Sequence, residues 1–138
     1  MKATLFLQIA GLMHAGLLWA GTTMLFKVNL REHLAKLPPF IRSLFWVYYS
    51  FIGLCLIGFG ALTFFFAREM AAGQPLARAL CVLLAAFWIV RLAAAAFVFD
   101  VRPYLTSGFY RVGYQVTNLV FVYLVVIYAW TAWKAGAL

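Results

Sequence analysis

Acidic residues are nearly missing from this chain. Its 138 residues hold three, Glu32, Glu69 and Asp100, against eleven Lys and Arg. None of the three falls within a long apolar segment. That removes an intramembrane carboxylate relay and any paired-carboxylate mechanism. Histidine is equally scarce: there are two, and only His14 lies in an apolar stretch, whereas a bis-histidine haem site needs two. The two cysteines, Cys55 and Cys81, form no CxxC pair and read as small apolar filler that says nothing about redox compartment. There is no glycine-rich phosphate loop and no Ser-His-Asp set within reach. Charge as a whole is thin, at 10% of residues, while 67% are hydrophobic. A soluble domain is roughly half apolar and a quarter charged, so the composition is that of an integral membrane protein. Nucleic-acid binding is excluded despite the net charge of +8, because no polar domain exists to present a basic face.

What the chain has is long apolar runs. A helix needs roughly 20 apolar residues to cross a bilayer. Four segments qualify, at about 3–26, 43–67, 77–99 and 109–133. Short alternating segments of the barrel type are missing. The expected fold is all-α: a polytopic, up-down-up-down bundle of four transmembrane helices, forming one domain over 1–138. The first run follows Lys2 and lacks a small-x-small cleavage site, so it reads as an uncleaved first helix rather than a signal peptide. In the first connection, Val28, Leu30, Leu34 and Leu37 have the spacing of a short interfacial helix that Pro38 and Pro39 would end. The stretch REMAAGQPLAR, with Gly73 and Pro75, reads as a turn. So does DVRPYLTSG, with Pro103 and Gly108.

Four crossings place both termini on one side, here side A. Side A carries Lys2, Arg68, Arg78 and Lys134, while side B carries Lys27, Arg31, Lys36, Arg42, Arg102 and Arg111. The positive-inside rule then makes side B cytoplasmic, with loops 27–42 and 100–108 facing the cytoplasm of a multi-pass cell-membrane protein. Trp46 and Tyr110 near side B, and Trp130 and Trp133 near side A, suit interfacial belts. Small residues recur at helix-packing spacing, notably Gly11, Ala15, Gly53, Gly58 and Gly60.

The eleventh basic residue, Arg91, is the anomaly. It interrupts ALCVLLAAFWIVRLAAAAFVF, residues 79–99. A guanidinium keeps its charge, so it needs partners, water or a path to the interface. At 1.5 Å per residue, the uncommon polar groups fall mostly in the side-B half: Arg91, Gln115, Asn118, Tyr48, Tyr49 and Ser50, with His14 near the middle. Gln8, Thr63 and Thr131 are the exceptions on side A. Arg111, Gln115 and Asn118 share one face of the fourth segment, and Trp88 is one turn from Arg91. If these faces meet, they enclose a polar cavity open toward side B, built from His14, Arg91, Gln115 and Asn118, with Trp88, Tyr48 and Tyr49 in its walls. Each residue also has a purely structural use, Arg91 by snorkelling to a phosphate and Gln115 and Asn118 as interhelical hydrogen bonds.

The stretches LFWVYYSFIGLCLIGFGALTFFFA (residues 44–67) and FVFDVRPYL (residues 97–105) resemble small four-helix membrane proteins encoded in bacterial genomes, a group with no established activity. The resemblance implies a bacterial membrane protein and no particular chemistry. Length and helix count are also similar to the glutathione-dependent MAPEG trimers, but the intramembrane Glu of that family is missing.

These observations lead to an accessory membrane subunit holding a lipid-like or quinone-like ligand, or a partner subunit, around Arg91. Membrane lipids, a second copy of the chain or a larger membrane complex are its expected partners. Two other readings use the same residues. One is a small enzyme acting on a lipophilic substrate, with Arg91 stabilising an anion. The other is a haem- or metal-binding electron-transfer subunit working through His14.

Overall fold

The computed structural model describes residues 2–100 and 102–136; Met1, Val101, Ala137 and Leu138 of the expected 1–138 unit lie outside the described residues. Four long helices carry the fold: α1 (Lys2–Lys27), α3 (Pro39–Phe65), α5 (Pro75–Phe97) and α6 (Gly108–Gly136). Between them stand two short ones, α2 (Leu30–Ala35) and α4 (Ala67–Ala72), and a single 3₁₀ turn at Arg102–Tyr104. No strand forms among the described residues. All four long helices are apolar and long enough to cross a membrane. The shortest, α5 at 23 residues, measures about 35 Å at 1.5 Å per residue, against a hydrocarbon core of roughly 30 Å. The all-α four-helix membrane fold expected from composition is therefore present.

The boundaries differ where local chemistry overrides hydropathy. The second span begins at Pro39 rather than Ser43. Proline at the first helical position costs nothing, because its missing N–H would have no intrahelical acceptor there. The preceding helix α2 stops by Lys36, before the prolines, and is entered through Asn29 in the left-handed region (φ 51°, ψ 47°). Asparagine is among the few residues that tolerate that conformation. The turn it makes swings the chain off the axis of α1. The stretch read as a plain turn after the second span is partly helical: Phe66 breaks the helix (φ −103°, ψ 22°) and α4 follows. Its Ala67 and Met70 are buried, so tertiary packing holds that short helix in place. Gly73 closes α4 at φ 76°, and Pro75 opens α5.

Packing is closest within two antiparallel pairs, α1 with α3 and α5 with α6, and α1 also lies along α6. Glycine permits the first pairing. A methyl group on Gly60 would fall 2.9 Å from the His14 Cβ and 3.0 Å from the Gly11 carbonyl oxygen, and one on Gly11 would fall 2.9 Å from the Gly60 oxygen. The two backbones cross at Gly11 and Gly60 because neither residue has a side chain. Buried positions on α1 (Leu7, Ala10, Gly11, His14, Leu17) and on α5 (Cys81, Leu84, Ala85, Trp88, Ala95) follow the three-and-four spacing of one helical stripe. Outside the core, Leu12, Trp19, Phe51, Leu54, Val90 and Leu119 are exposed, as apolar residues facing lipid should be. Lys27 fastens α1 to α6 at side B: its Nζ stands 4.4 Å from the centre of the Tyr110 ring and donates to Thr106 Oγ1 at 3.5 Å.

Candidate functional site

The bundle interior gathers polar groups from all four spans. His14 of α1 is 1% exposed, and its Nδ1–H donates to the Ala10 carbonyl at 2.8 Å. A carbonyl oxygen only accepts, so Nδ1 carries a hydrogen, and a buried ring with no carboxylate partner among the described residues stays neutral, which leaves a lone pair on Nε2. Trp88 of α5 meets the His14 ring edge-on, with centroids 5.2 Å apart. Tyr128 of α6 also meets it edge-on, with centroids 6.2 Å apart. The Tyr128 hydroxyl shares a 2.8 Å hydrogen bond with the Thr63 hydroxyl of α3, buried at the helix junction. Thr131 is also buried and returns its hydroxyl to the Ile127 carbonyl at 2.7 Å. Two buried nitrogens, His14 Nε2 and Trp88 Nε1, have no hydrogen-bond partner among the described residues.

Arg91 lies elsewhere. It is exposed. Its guanidinium carbon sits 5.2 Å from the centre of the Phe121 ring and 5.4 Å from that of Phe99. Phe121 in turn stacks on Trp88 with centroids 5.4 Å apart and planes 25° from parallel. The chain of contacts therefore runs His14, Trp88, Phe121, Arg91, with two rings filling the space between the histidine and the guanidinium. One polar cavity shared by His14 and Arg91, expected from the shared faces, does not form. The reason is angular: three residues along a helix are about 60° out of line, so with Trp88 pointing inward Arg91 turns to the margin. Among the described residues no carboxylate pairs with Arg91. Asp100 instead accepts the backbone N–H of Arg102 at 3.1 Å.

The remaining sequence candidates separate by the same geometry. Asn118, three residues before the buried Phe121, is half-buried, and Gln115, a further three residues back, is exposed. Tyr48 points outward at 62% exposure. Tyr49 lines a different hollow, a half-open groove of about 420 Å³ between the end of α1, α2 and the start of α3. Leu25, Phe26, Leu30 and Trp46 make its walls apolar, while Thr22, Asn29, Arg31 and Glu32 add polar groups. The buried polar residues Thr63 and Thr131 lie toward side A, and the side-B groups are largely at the surface.

Sequence reading missed the pairing of Thr63 with Tyr128. Tyr128 follows Phe121 by seven residues and Leu124 by four, one stripe of α6, and that spacing was a usable signal for burial. Its partner is 65 residues away in the chain, and only the packing of α3 near α6 brings the two together. No group of three or more His, Cys, Asp or Glu side chains able to hold a metal ion occurs among the described residues. Compared with known proteins, the chain matches no family model, no curated protein and no solved structure.

Proposed function

We propose that this protein is an accessory subunit of the cell membrane that holds the head of a lipid-like or quinone-like molecule against Arg91. The observation that carries this reading is the exposed guanidinium within a membrane span, poised over Phe99 and Phe121 and lacking a carboxylate partner among the described residues. A fixed charge in an apolar span needs an acceptor, and the rings leave the N–H edges of the guanidinium free to supply one with donors. Arg91 precedes the end of α5 at Phe97 by six residues, about 9 Å along the axis. The long side chain reaches from there toward the head groups of side B. A phosphate or carboxylate head suits a permanent cation better than a neutral carbonyl does, which favours the lipid-like class over the quinone-like one. Half-buried Asn118 and exposed Gln115 on α6 offer neutral hydrogen bonds on the side-B approach. In this reading loops 27–42 and 100–108 face the cytoplasm.

Native mass spectrometry of the protein released from mild detergent, with extraction of what it retains, tests the proposal. Wild-type protein is expected to keep a reproducible amphiphile that Arg91→Gln loses while remaining folded. Retention of only bulk lipid by wild type, or equal retention by both proteins, refutes it. The enzymatic and electron-transfer readings draw on His14, whose ring is sealed behind Trp88 and Tyr128. An absorption spectrum without a Soret band removes the haem reading.

A further inference from the structure

The donors and acceptors at the bundle centre do not balance on their own. His14 Nε2 offers a lone pair, because the buried ring is neutral and its one hydrogen is on Nδ1, given to Ala10. Trp88 Nε1–H is a donor without an acceptor among the described residues. The Thr63–Tyr128 pair holds two hydroxyl hydrogens, and the single bond between the oxygens uses one of them. Whichever residue donates in that bond, the other is left with an O–H to place. The centre therefore contains two surplus donors and one surplus acceptor, all on residues at most 2% exposed. The His14 ring is next to both other components, 5.2 Å from the Trp88 ring and 6.2 Å from the Tyr128 ring.

We infer that one water molecule binds at this centre, donating to His14 Nε2 and accepting from Trp88 Nε1–H and from the free hydroxyl of the Thr63–Tyr128 pair. Water is the smallest molecule that donates and accepts at once, and buried waters typically make about three such bonds. A chloride ion or other anion would meet the two donors but face the His14 lone pair, and an ammonium-like cation would meet the lone pair but face both donors. Bound in this way, the water links α1, α3, α5 and α6 through one hydrogen-bonded centre whose four side chains are all buried in the bundle. The site is independent of the Arg91 reading, since Phe121 stands between Trp88 and the guanidinium.

Magic-angle-spinning NMR of the full chain in lipid bilayers tests this, with ¹⁵N-labelled histidine and tryptophan. His33→Gln leaves His14 as the sole histidine, and the Trp88 signal is identified by its loss in Trp88→Phe. Expected are a neutral His14 with hydrogen on Nδ1 alone, and transfer of water-proton magnetisation to both His14 Nε2 and Trp88 Nε1. Tyr128→Phe, which keeps the ring and removes the hydroxyl, is expected to weaken that transfer. The inference fails if folded wild-type protein transfers nothing to either nitrogen, or if the two nitrogens couple directly through an N–H···N bond. Unchanged transfer in Tyr128→Phe removes the hydroxyl pair from the site and overturns the three-partner arrangement. Should that variant fail to fold, the wild-type spectrum alone decides.

Discussion

The hydroxyls of Thr63 and Tyr128 lie 2.8 Å apart and join α3 to α6 inside the bundle. Interhelical hydrogen bonds of this kind contribute about 0.6 kcal/mol on average and up to about 1.7 kcal/mol. Tyr128→Phe and Thr63→Val are each expected to destabilise the protein. The double variant should lose less than the sum of the two, with a coupling of about 1 kcal/mol. Unfolding in detergent measures all four proteins of the cycle, and strictly additive losses would show that the bond contributes nothing.

Gly60 and Gly58 sit two residues apart on α3 yet should respond oppositely to alanine. At Gly60 the added methyl meets the His14 Cβ at 2.9 Å and the Gly11 oxygen at 3.0 Å, whereas at Gly58 nothing lies within 4 Å. Gly60→Ala is expected to destabilise by about 1–3 kcal/mol, the usual cost of overpacking. Gly58→Ala is expected to be neutral or to stabilise by up to about 1 kcal/mol, since alanine is the better helix former. Thermal unfolding of the two variants side by side checks the contrast.

Phe121 stands under Arg91 on one side and against Trp88 on the other. Phe121→Leu keeps an apolar side chain but removes the ring face. The loss of one cation–π contact, about 0.5–1 kcal/mol, corresponds to roughly two- to fivefold weaker retention of the amphiphile. Arg91→Lys keeps the charge and loses the planar fork, so it should retain the amphiphile less well than wild type and better than Arg91→Gln. Native mass spectrometry ranks the variants, and an order other than wild type, Lys, Gln would contradict the assigned role of the guanidinium.

Orientation is testable with single cysteines in a background where Cys55 and Cys81 are replaced by alanine. Lys36 and Gln74 lie in connections at opposite ends of the long helices, and both are exposed. A membrane-impermeant maleimide added to intact cells is expected to label Gln74→Cys and spare Lys36→Cys. The reverse pattern would place side B outside.

Much of the fold was legible because hydropathy is a local property. Four runs of apolar residues must each make their own backbone hydrogen bonds in a bilayer, and short connections leave little choice but antiparallel neighbours. The close crossing at Gly11 and Gly60 was partly legible as a pattern of small residues, although their pairing was not. The site was less legible. Arg91 stood out by charge alone, but its position relative to Trp88 depends on how far α5 is rotated about its axis. A rotation of about 60° decides whether the guanidinium or the indole points inward.

By itself the sequence determined that this is a four-span helical membrane protein with a single charge stranded in its third span. Composition and run length suffice for that, since water and lipid sort residues by transfer free energy whatever their neighbours. Only the tertiary structure decided which polar groups meet. It turned His14, Trp88, Thr63 and Tyr128 inward and left Arg91 on the rim over two phenylalanines. Those choices depend on contacts between residues far apart in the chain, such as His14 with Tyr128, and on helix rotations set by the packing of whole faces, which no local stretch of sequence encodes.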